Sequence, residues 1–411
     1  MPHDERPPLP TGLQLTELDP GFRTDPHSVL SRLREEAPVH RDTTLGMFFL
    51  TQYDAIRSVL TDRALWRDGE KAEPAAVLAR MIQRRPPELE SDGPPRVILF
   101  LDDPDHVRVR TPLMKALYGR VSKAKPQVEA IIDGVLDRLD GQDEFDVIPE
   151  IAIPIPILVI AKLLGVDEHR IGEFRAWSEG LILNFHPARS QEQTDLMVRS
   201  IRSMQNFFDA EIAERRQRPR DDLITDILDA QEHGTQLSDA EIRDNCIGFL
   251  VGGNLTTSDL IGNGVLMLLQ HPEQLKKLRA DPGLINKAVE EILRFAPPVG
   301  QTARIANRDM NVGGCPVKAH QVMVTSLPAA NRDPAAFEDP HRFDITREPT
   351  PHMSFGGGAH ICIGAPLARL EAQVALAKIF ERFPNLKLAE QDVAWKATPF
   401  FHGVERLRVK V

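Results

Sequence analysis

The longest regular pattern of apolar and polar residues in the chain predicts a single long helix that begins after Ser238. Ser238 and Glu241 have the spacing of a capping box, and no proline follows until Pro272. At a rise of about 1.5 Å per residue, this helix is roughly 50 Å long. Apolar residues occupy most of 246–251 and 260–269. Because so much of its surface is apolar, we expect the helix to cross the middle of the protein.

Shorter patterns predict further helices and a few strands. Helical spacing of apolar residues extends over 26–36, 53–60, 167–183, 191–217 and 282–295. Strands are predicted at 47–51 and 302–306, and a hairpin-like run over 310–326 turns at Gly313 and Gly314. Residues 67–91 have no clear period and are predicted as a loop, and 151–164 as an extended lead-in to a buried helix. The pattern therefore predicts a fold that is mainly α with a small β region.

Composition and charge exclude several classes of protein. The chain has 411 residues, of which 42% are hydrophobic, so it can bury a large core. Its net charge of −10 argues against nucleic acid as a partner. Three widely spaced cysteines argue against a disulfide scaffold and favour a cytoplasmic setting. Residues 1–20 are polar and proline-rich, so we expect a flexible segment that is neither a signal peptide nor a membrane anchor.

One small basic set lies in the predicted loop 67–91. It comprises Arg80, Arg84 and Arg85. These arginines are interpreted either as part of a solvated surface or as a group that meets an anionic substrate.

The strongest candidate for chemistry is a glycine-rich stretch, residues 355–364, that carries Cys362 and leads into a helix from Ala365. Pro366 suits the first turn of that helix. Unpaired N–H groups and the positive end of the helix dipole favour a thiolate at Cys362, which prepares the sulfur to bind a metal. The glycines let backbone N–H groups approach the sulfur and leave room for a flat ligand.

Three other interpretations of this stretch are open from the residues alone. Cys362 is a buried core cysteine in the first of them. In the second, the glycines cradle a phosphate, although the Lys-Ser/Thr ending of a P-loop is missing. In the third, His360 and Cys362 bind zinc, although no second Cys or His pair lies at the spacing of a zinc site.

The stretch resembles the cysteine-ligand loop of the cytochrome P450 family, Phe-Gly-x-Gly-x-His-x-Cys-x-Gly, at every specified position. The resemblance implies that Cys362 is the axial thiolate ligand of the iron of haem b, and that His360 approaches a haem propionate. It also implies a role in cofactor binding for Phe355, Gly356 and Gly364. The likeness extends over nearly the whole chain and implies one domain, 21–411, with the haem between the long helix and the Cys362 loop.

Three further cations match the positions of this family that bind the haem propionates. His106 and Arg110 are four residues apart and lie on one face of a predicted helix. Arg304 lies in the predicted strand 302–306. The segment around His106 is also unusually basic, and we expect it to receive an acidic ferredoxin. Its cations are Arg108, Arg110, Lys115, Arg120, Lys123 and Lys125.

The middle of the long helix contains the sequence Gly-Gly-Asn-Leu-Thr-Thr, residues 252–257. Each glycine costs a helix about 1 kcal/mol, so we expect a flat cofactor to approach the backbone closely there. The segment resembles the oxygen-binding segment of the family, which implies catalytic roles for Gly253, Thr256 and Thr257. Leu255 occupies the position of the usual acid and cannot carry a proton. Water, Asp259 or a group of the substrate then takes over proton delivery, or oxygen activation is slow or driven by peroxide.

A charged triad is the last motif that the resemblance implies. Glu291 and Arg294 have the Glu-x-x-Arg spacing, and Arg342 is expected to join them in a structural role. The loop 399–403 resembles the last substrate-contact loop of the family.

The function implied by the resemblance is a monooxygenase that inserts one oxygen atom of O₂ into a small, largely apolar organic molecule. Electrons are expected from NAD(P)H through a separate ferredoxin and ferredoxin reductase, because the chain shows no flavin or iron-sulfur domain. A peroxide-driven or isomerising haem-thiolate enzyme is one alternative, which Leu255 keeps open. A haem-based ligand sensor or carrier is another.

Overall fold

A computed structural model describes residues 7–90, 93–348 and 350–411. Within these residues, helices dominate the fold and confirm the predicted mainly α class. The α-helices are α1 Pro20–Thr24, α2 Pro26–Glu36, α3 Tyr53–Thr61, α4 Val77–Gln83, α5 Pro87–Glu90, α6 Asp105–Val121, α7 Lys125–Leu136, α8 Pro154–Leu164, α9 Ile171–Ile182, α10 Gln191–Gln217, α11 Leu223–Glu232, α12 Asp239–Gln270, α13 Pro272–Ala280, α14 Ile285–Phe295, α15 Leu327–Asn331 and α16 Ala365–Arg382.

In the described part of the chain, the β region consists of short strands in four small sheets. The strands are β1 Val39–Asp42, β2 Met47–Leu50, β3 Glu144–Asp146, β4 Gln301–Ile305, β5 Met310–Val312, β6 Cys315–Val317, β7 Val322–Ser326, β8 Lys387–Leu388, β9 Ala394–Trp395, β10 Val404–Arg406 and β11 Arg408–Lys410. The largest sheet has the order β1-β2-β7-β4, the next has the order β3-β11-β8, and β9–β10 and β5–β6 form two pairs. In the largest sheet, β2 runs parallel to β7 with Met47 opposite Val322.

The predicted long helix is confirmed as α12, which forms the centre of the fold. Its capping box is present, because the Ser238 hydroxyl accepts from the Glu241 N–H and the Glu241 side chain accepts from the Ser238 N–H. The helix packs against α8, α10 and α16, and most of its residues from Asn254 to Leu268 are buried. A helix enclosed on several sides in this way needs an apolar surface all round, which the sequence provides.

Two predicted segments differ from the structure. Residues 148–152 form a π-helical turn that leads directly into α8, so the predicted extended lead-in is wrong. The first turn of a helix needs no N–H donors, and Pro154 therefore begins α8 without losing a hydrogen bond. In the predicted loop 67–91, α4 and α5 are short helices that the aperiodic sequence did not indicate.

The Gly313–Gly314 turn is confirmed, but the predicted hairpin is shorter than expected. The turn joins β5 to β6, and both glycines have positive φ angles, +56° and +85°. Strand β7 does not continue this hairpin. It pairs instead with β2 on one side and β4 on the other, so the backbone groups along both of its edges are hydrogen-bonded.

The charged triad needs a correction. The Arg294 guanidinium donates to both carboxylate oxygens of Glu291, at 2.7 and 2.8 Å, and both side chains are buried. Arg342 contributes only its main-chain carbonyl, which accepts from Arg294, while its guanidinium is exposed and pairs with Asp344. The second cation beside Glu291 is Arg347, at 3.4 Å. Which arginine side chain reaches Glu291 depends on the directions of the side chains in the 339–347 turn. The spacing of residues along the chain gives no information on these directions.

The structure describes the N-terminal segment only in part. Residues 1–6 of the expected flexible segment lie outside the described residues, while Gly12–Leu15 forms a 3₁₀ helix with Leu15 buried. The boundary at residue 20 stays a prediction.

Across the described part of the chain, no helix has both the length and the apolar character that crossing a bilayer requires.

Candidate functional site

The Cys362 loop is closed by its own backbone. The Cys362 N–H donates to the Phe355 carbonyl at 2.9 Å, and the Gly356 N–H donates to the Met353 carbonyl at 2.8 Å. Gly358 has a φ of +66°, and a Cβ atom there would overlap the Leu60 carbonyl and lie 2.9 Å from the Thr61 Cα. The loop therefore rests directly on the end of α3, which only glycine permits at this position.

Cys362 is an exposed residue, although its thiol lies deep within the protein. Burial raises the pKa of the Cys362 thiol. The N–H groups of Gly364 and Ala365, at the start of α16, and the Arg110 guanidinium act in the opposite direction. This is the arrangement predicted from the sequence, in which a helix N-terminus supports negative charge on sulfur.

Two histidines that are far apart in the chain meet beside this loop. The ring centroids of His106, on α6, and His360 are 4.0 Å apart. His106 is 2% exposed, and neither ring nitrogen has a hydrogen-bond partner within the described residues, although Nδ1 lies 3.6 Å from the Asp103 carboxylate. The Arg110 guanidinium donates to the Ile361 carbonyl at 2.5 Å, which fixes α6 to the Cys362 loop.

Two arginines, Arg304 buried and Arg67 half-buried, complete the same pocket. Arg304, on β4, is 3% exposed, and burial followed by the charge of Arg67 lowers its pKa to about 9. Burial also lowers the pKa of Arg67 to about 10. The same two arginines act with burial to lower the pKa of His360 to about 2. The pocket thus concentrates positive charge, and Asp102 is the carboxylate that opposes it at both arginines.

Arg67 is a site residue that the sequence analysis missed. Its guanidinium donates to the Leu99 carbonyl at 2.9 Å, and to the Thr302 hydroxyl and the Ala303 carbonyl at 2.7 Å each. It therefore joins the segment before α6 to strand β4. Arg67 lies in an aperiodic stretch, and we find no signal in the sequence that distinguishes it from a surface arginine.

These residues fit the predicted haem b. A buried pocket with excess positive charge and an unpartnered buried histidine is suited to two anionic propionates, which must be paired when they leave water. Arg67, Arg110 and Arg304 supply that charge around His360, and Cys362, two residues later in the same loop, supplies a thiol that can bind a metal.

The predicted oxygen-binding segment divides into an open face and a packed face. Gly252 is exposed although it lies in the middle of a buried helix, and nothing would lie within 4 Å of a Cβ atom there. Thr256, one turn later, donates its hydroxyl hydrogen to the Gly252 carbonyl at 2.8 Å. Gly253 instead faces Ile160 on α8, 3.3 Å from where its Cβ would be, and Thr257 is 2% exposed. Of the three predicted catalytic residues, only Thr256 lies on the open face.

Leu255 is buried, and the nearest acid along this part of α12 is Asp259. Asp259 forms an ion pair with Lys396, which follows β9. Burial raises the pKa of Asp259, whereas Lys396 acts to lower it. Asp259 and Thr256 are three residues apart and therefore lie on neighbouring positions of one helix face.

Half of the six cations of the predicted basic face, Arg108, Arg120 and Lys125, form ion pairs. Arg108 pairs with Glu241 at 2.6 Å, and Arg120 pairs with Asp226 through a hydrogen bond of 2.9 Å. Lys115 and Lys123 are exposed, and no ion-pair partner for them appears among the described residues. The electrostatic surface near α6 is therefore weaker than the sequence suggested.

Aromatic rings from three separate segments form one cluster. Phe185 contacts Phe100 and Phe400, with ring centroids 6.3 and 5.9 Å apart. All three rings are partly exposed. Phe400 belongs to the loop 399–403 that was predicted to contact the substrate.

Comparison with known proteins gives consistent similarities over nearly the whole chain. A family model described as cytochrome P450 matches residues 173–282 and 283–402. A protein of Saccharopolyspora erythraea named cytochrome P450 107B1 is 39% identical over 403 residues, which is 96% of this chain and 97% of that protein. The 6-deoxyerythronolide B hydroxylase of the same organism is 35% identical, over 95% of this chain and 97% of the hydroxylase. The solved structure of epothilone B-bound cytochrome P450epoK superposes with a TM-score of 0.88 at 30% identity, over 96% of this chain and 98% of that one.

Proposed function

We propose a function for this chain from the premise that it belongs to the cytochrome P450 family, whose members bind haem b. The chain is a monooxygenase of this family, and it inserts one oxygen atom of O₂ into a small, largely apolar organic substrate. Electrons come from NAD(P)H through a separate ferredoxin and its reductase. The observation that carries this proposal is the Cys362 thiol with the backbone N–H groups of Gly364 and Ala365 directed at it, beside a pocket of cations.

Haem, when bound, supplies an iron centre that activates O₂, and the residues of this chain hold it in place. Cys362 is the proposed iron ligand. Arg110, Arg304, His106 and His360 are the proposed partners of the propionates, with Phe355, Gly356 and Gly364 shaping the loop. The fit between the positive pocket and two carboxylates supports this assignment, because each guanidinium gains a charge-assisted hydrogen bond on binding.

Proton supply falls to residues of α12. The Thr256 hydroxyl, which donates to the Gly252 carbonyl, lies on the open face and is the group that holds a proton for transfer. Asp259 and Lys396 form a buried ionisable pair one turn further along and replace the missing acid at Leu255. Burial raises the pKa of the Asp259 carboxyl, which favours its protonated form more than in water.

Phe100, Phe185 and Phe400 provide the proposed contact surface for the substrate. Aromatic rings bury a large apolar area and exclude water from the space between them, so they favour an apolar molecule. The Thr398 hydroxyl donates to the Phe401 carbonyl, which restrains the loop that carries Phe400.

The reduced protein treated with carbon monoxide gives the direct test. We expect a strongly red-shifted Soret band for the wild type and for Cys315→Ala, and loss of that band for Cys362→Ala. Cys315 is the matched control because it lies in β6, away from the loop. A band at the position of histidine-ligated haem in the wild type, or an unchanged band in Cys362→Ala, would overturn the proposal.

The ferredoxin is proposed to dock near α6 through Lys115 and Lys123. We expect Lys115→Glu to weaken ferredoxin binding severalfold, with the largest effect at low salt, because exposed charges mainly steer association. Lys276→Glu is the control, since Lys276 is on α13 at the opposite end of α12. Equal effects of the two substitutions on binding would remove α6 from the proposed surface.

Leu255 supports a second candidate, a peroxide-driven haem-thiolate enzyme. A buried leucine in place of an acid cannot deliver protons, whereas peroxide brings its own oxygen and hydrogen atoms. Turnover with hydrogen peroxide alone that exceeds turnover with NADPH, ferredoxin and reductase would favour this candidate. We expect the opposite, and we expect Leu255→Glu to increase the fraction of electrons recovered in product.

A further inference from the structure

A cleft of about 540 Å³ lies between two segments on the outer side of the site, 81–88 and 186–199. The first segment runs from the end of α4 into α5. The second runs from the loop after α9 into the first turns of α10. The cleft shares no lining residue with the pocket around Cys362.

Four arginines line this cleft: Arg84, Arg85, Arg189 and Arg199. Its acidic residues are Glu88 and Asp195, and Asp195 already accepts a hydrogen bond from Gln191 at 2.8 Å. The cleft is therefore positive in a chain whose net charge is −10. Positive charge in one cleft of a chain that is negative overall favours the binding of a negatively charged ligand there.

Two of the arginines hold the cleft together, and two are unpaired. Arg189 donates to the Arg84 carbonyl at 3.0 Å, and Arg84 donates to the Pro187 carbonyl at 3.4 Å. These bonds join the two segments. The guanidinium groups of Arg85 and Arg199 have no hydrogen-bond or ion-pair partner within residues 7–90, 93–348 and 350–411. Their guanidinium groups are available to a ligand.

The cleft continues into the aromatic part of the site through one short segment. Arg189 donates to the Asn184 carbonyl at 3.4 Å, and the next residue, Phe185, packs on Phe100 and Phe400. His186, which follows, lines the cleft. The segment 184–189 thus has the aromatic contacts on one side and the arginines on the other.

The segment that precedes Phe100 packs against α12. The Ile98 N–H, two residues before it, donates to the Asn245 side chain of α12 at 3.0 Å. Val97 lies 2.9 Å from where a Cβ of Gly248 would be, one turn before Gly252. The segment that carries Phe100 therefore packs on the turns of α12 that precede the exposed Gly252.

We propose that this cleft binds the anionic group, a carboxylate or a phosphate monoester, of a substrate whose remaining part is apolar. The apolar part passes Phe185 toward Gly252 and Thr256, and Arg85 and Arg199 bind the anion. Guanidinium groups pair with carboxylate and phosphate oxygens in a bidentate manner, which orients the ligand as well as attracting it. The inference rests on the proposed function, because it names the class of substrate that the monooxygenase site takes.

The test measures binding of three probes to the full-length, haem-loaded protein by equilibrium dialysis. Decanoate, decyl phosphate and decan-1-ol share one apolar chain and differ in the end group. We expect at least one of the anions to bind about tenfold tighter than the alcohol, from charge-assisted hydrogen bonds. Tighter binding of decanoate would indicate a free carboxylic acid, and tighter binding of decyl phosphate would indicate a phosphate ester.

The double variant Arg85→Gln/Arg199→Gln is expected to reduce this preference to about threefold or less, as two charge-assisted bonds are lost. Arg80→Gln is the matched control, because Arg80 lies one turn before Arg84, bonds to the Thr44 carbonyl and does not line the cleft. Unchanged affinity for decan-1-ol shows that the variants are folded.

The inference is overturned if the wild type binds both anions no more tightly than the alcohol, if neither anion binds, or if the double variant keeps the preference. Failure of the proposed function is detected by a separate measurement, the carbon monoxide spectrum of the reduced protein. That spectrum does not depend on the charge of the probe.

Discussion

Substitution of Gly358 by alanine isolates the effect of the close contact between the Cys362 loop and α3. The φ angle of +66° alone costs an alanine about 1–2 kcal/mol. The added Cβ would also overlap the Leu60 carbonyl and lie 2.9 Å from the Thr61 Cα. Both are backbone atoms that no side-chain rotation can move, so the loop must shift, at a further cost of about 1–3 kcal/mol. We expect Gly358→Ala to lower the free energy of unfolding by about 2–5 kcal/mol.

Gly314→Ala is the matched control for this prediction. Gly314 also has a positive φ, +85°, but nothing would lie within 4 Å of its Cβ. It should therefore lose only the conformational part, about 1–2 kcal/mol. Urea unfolding gives the two free energies, and the ratio of Soret to protein absorbance gives the haem content, which should fall in Gly358→Ala and stay unchanged in Gly314→Ala. Equal losses of stability in the two variants would refute the steric argument.

Three further predictions concern charged groups. Arg215→Met removes the guanidinium of a fully buried side chain and leaves Asp222, whose side chain is 2% exposed, without its ion pair. Urea unfolding should show that the free energy of unfolding falls by about 3–5 kcal/mol, and adding Asp222→Asn should recover part of this loss. Burial alone raises the pKa of Glu290, but hydrogen bonds from His352 and Arg369 lower it to about 2. The stability that Glu290 contributes is therefore complete above its ordinary pKa of 4.5 and lost as the pH falls toward 2, and the difference in urea midpoint between the wild type and Glu290→Gln should narrow below pH 4.5. Arg67→Met should speed the transfer of haem to apomyoglobin severalfold, because it removes the cation beside Arg304 and a link between β4 and the segment before α6.

Each of these predictions has an outcome that contradicts it. A loss below 1 kcal/mol in Arg215→Met would show that Asp222 finds other partners. A difference between the wild type and Glu290→Gln that is constant from pH 7 to pH 3 would remove the ionisation argument. Haem transfer from Arg67→Met at the wild-type rate would show that Arg67 only contacts Arg304 and β4 and does not help to retain haem.

Elements whose determinants lie within a few residues were predictable from the sequence. The capping box of Ser238 and Glu241 and the lack of proline before Pro272 predict α12, and its observed bounds, Asp239–Gln270, agree. The same holds for α10 and for the turn at Gly313 and Gly314. Capping, helical periodicity and positive φ angles depend on neighbouring residues, so the printed sequence contains all the information that they need.

The position of Cys362 in a glycine-rich loop before α16 was predictable for the same reason, since its N–H donors come from Gly364 and Ala365. The family resemblance added the expected partners His106, Arg110, Arg304 and His360. Their chain positions follow from the motifs, but that His106 and His360 lie 4.0 Å apart is known only from the structure.

Contacts between distant segments were decided by the tertiary structure alone. Arg67 reaches β4 across more than half of the chain, Arg347 takes the place expected for Arg342, and β2 pairs with β7. Gly252 faces open space while its neighbour Gly253 faces α8. The sequence by itself determined which helices form and which loop carries the thiol. Which side chains meet depends on how these helices pack, because many packings satisfy one pattern of apolar residues and only the complete core selects among them.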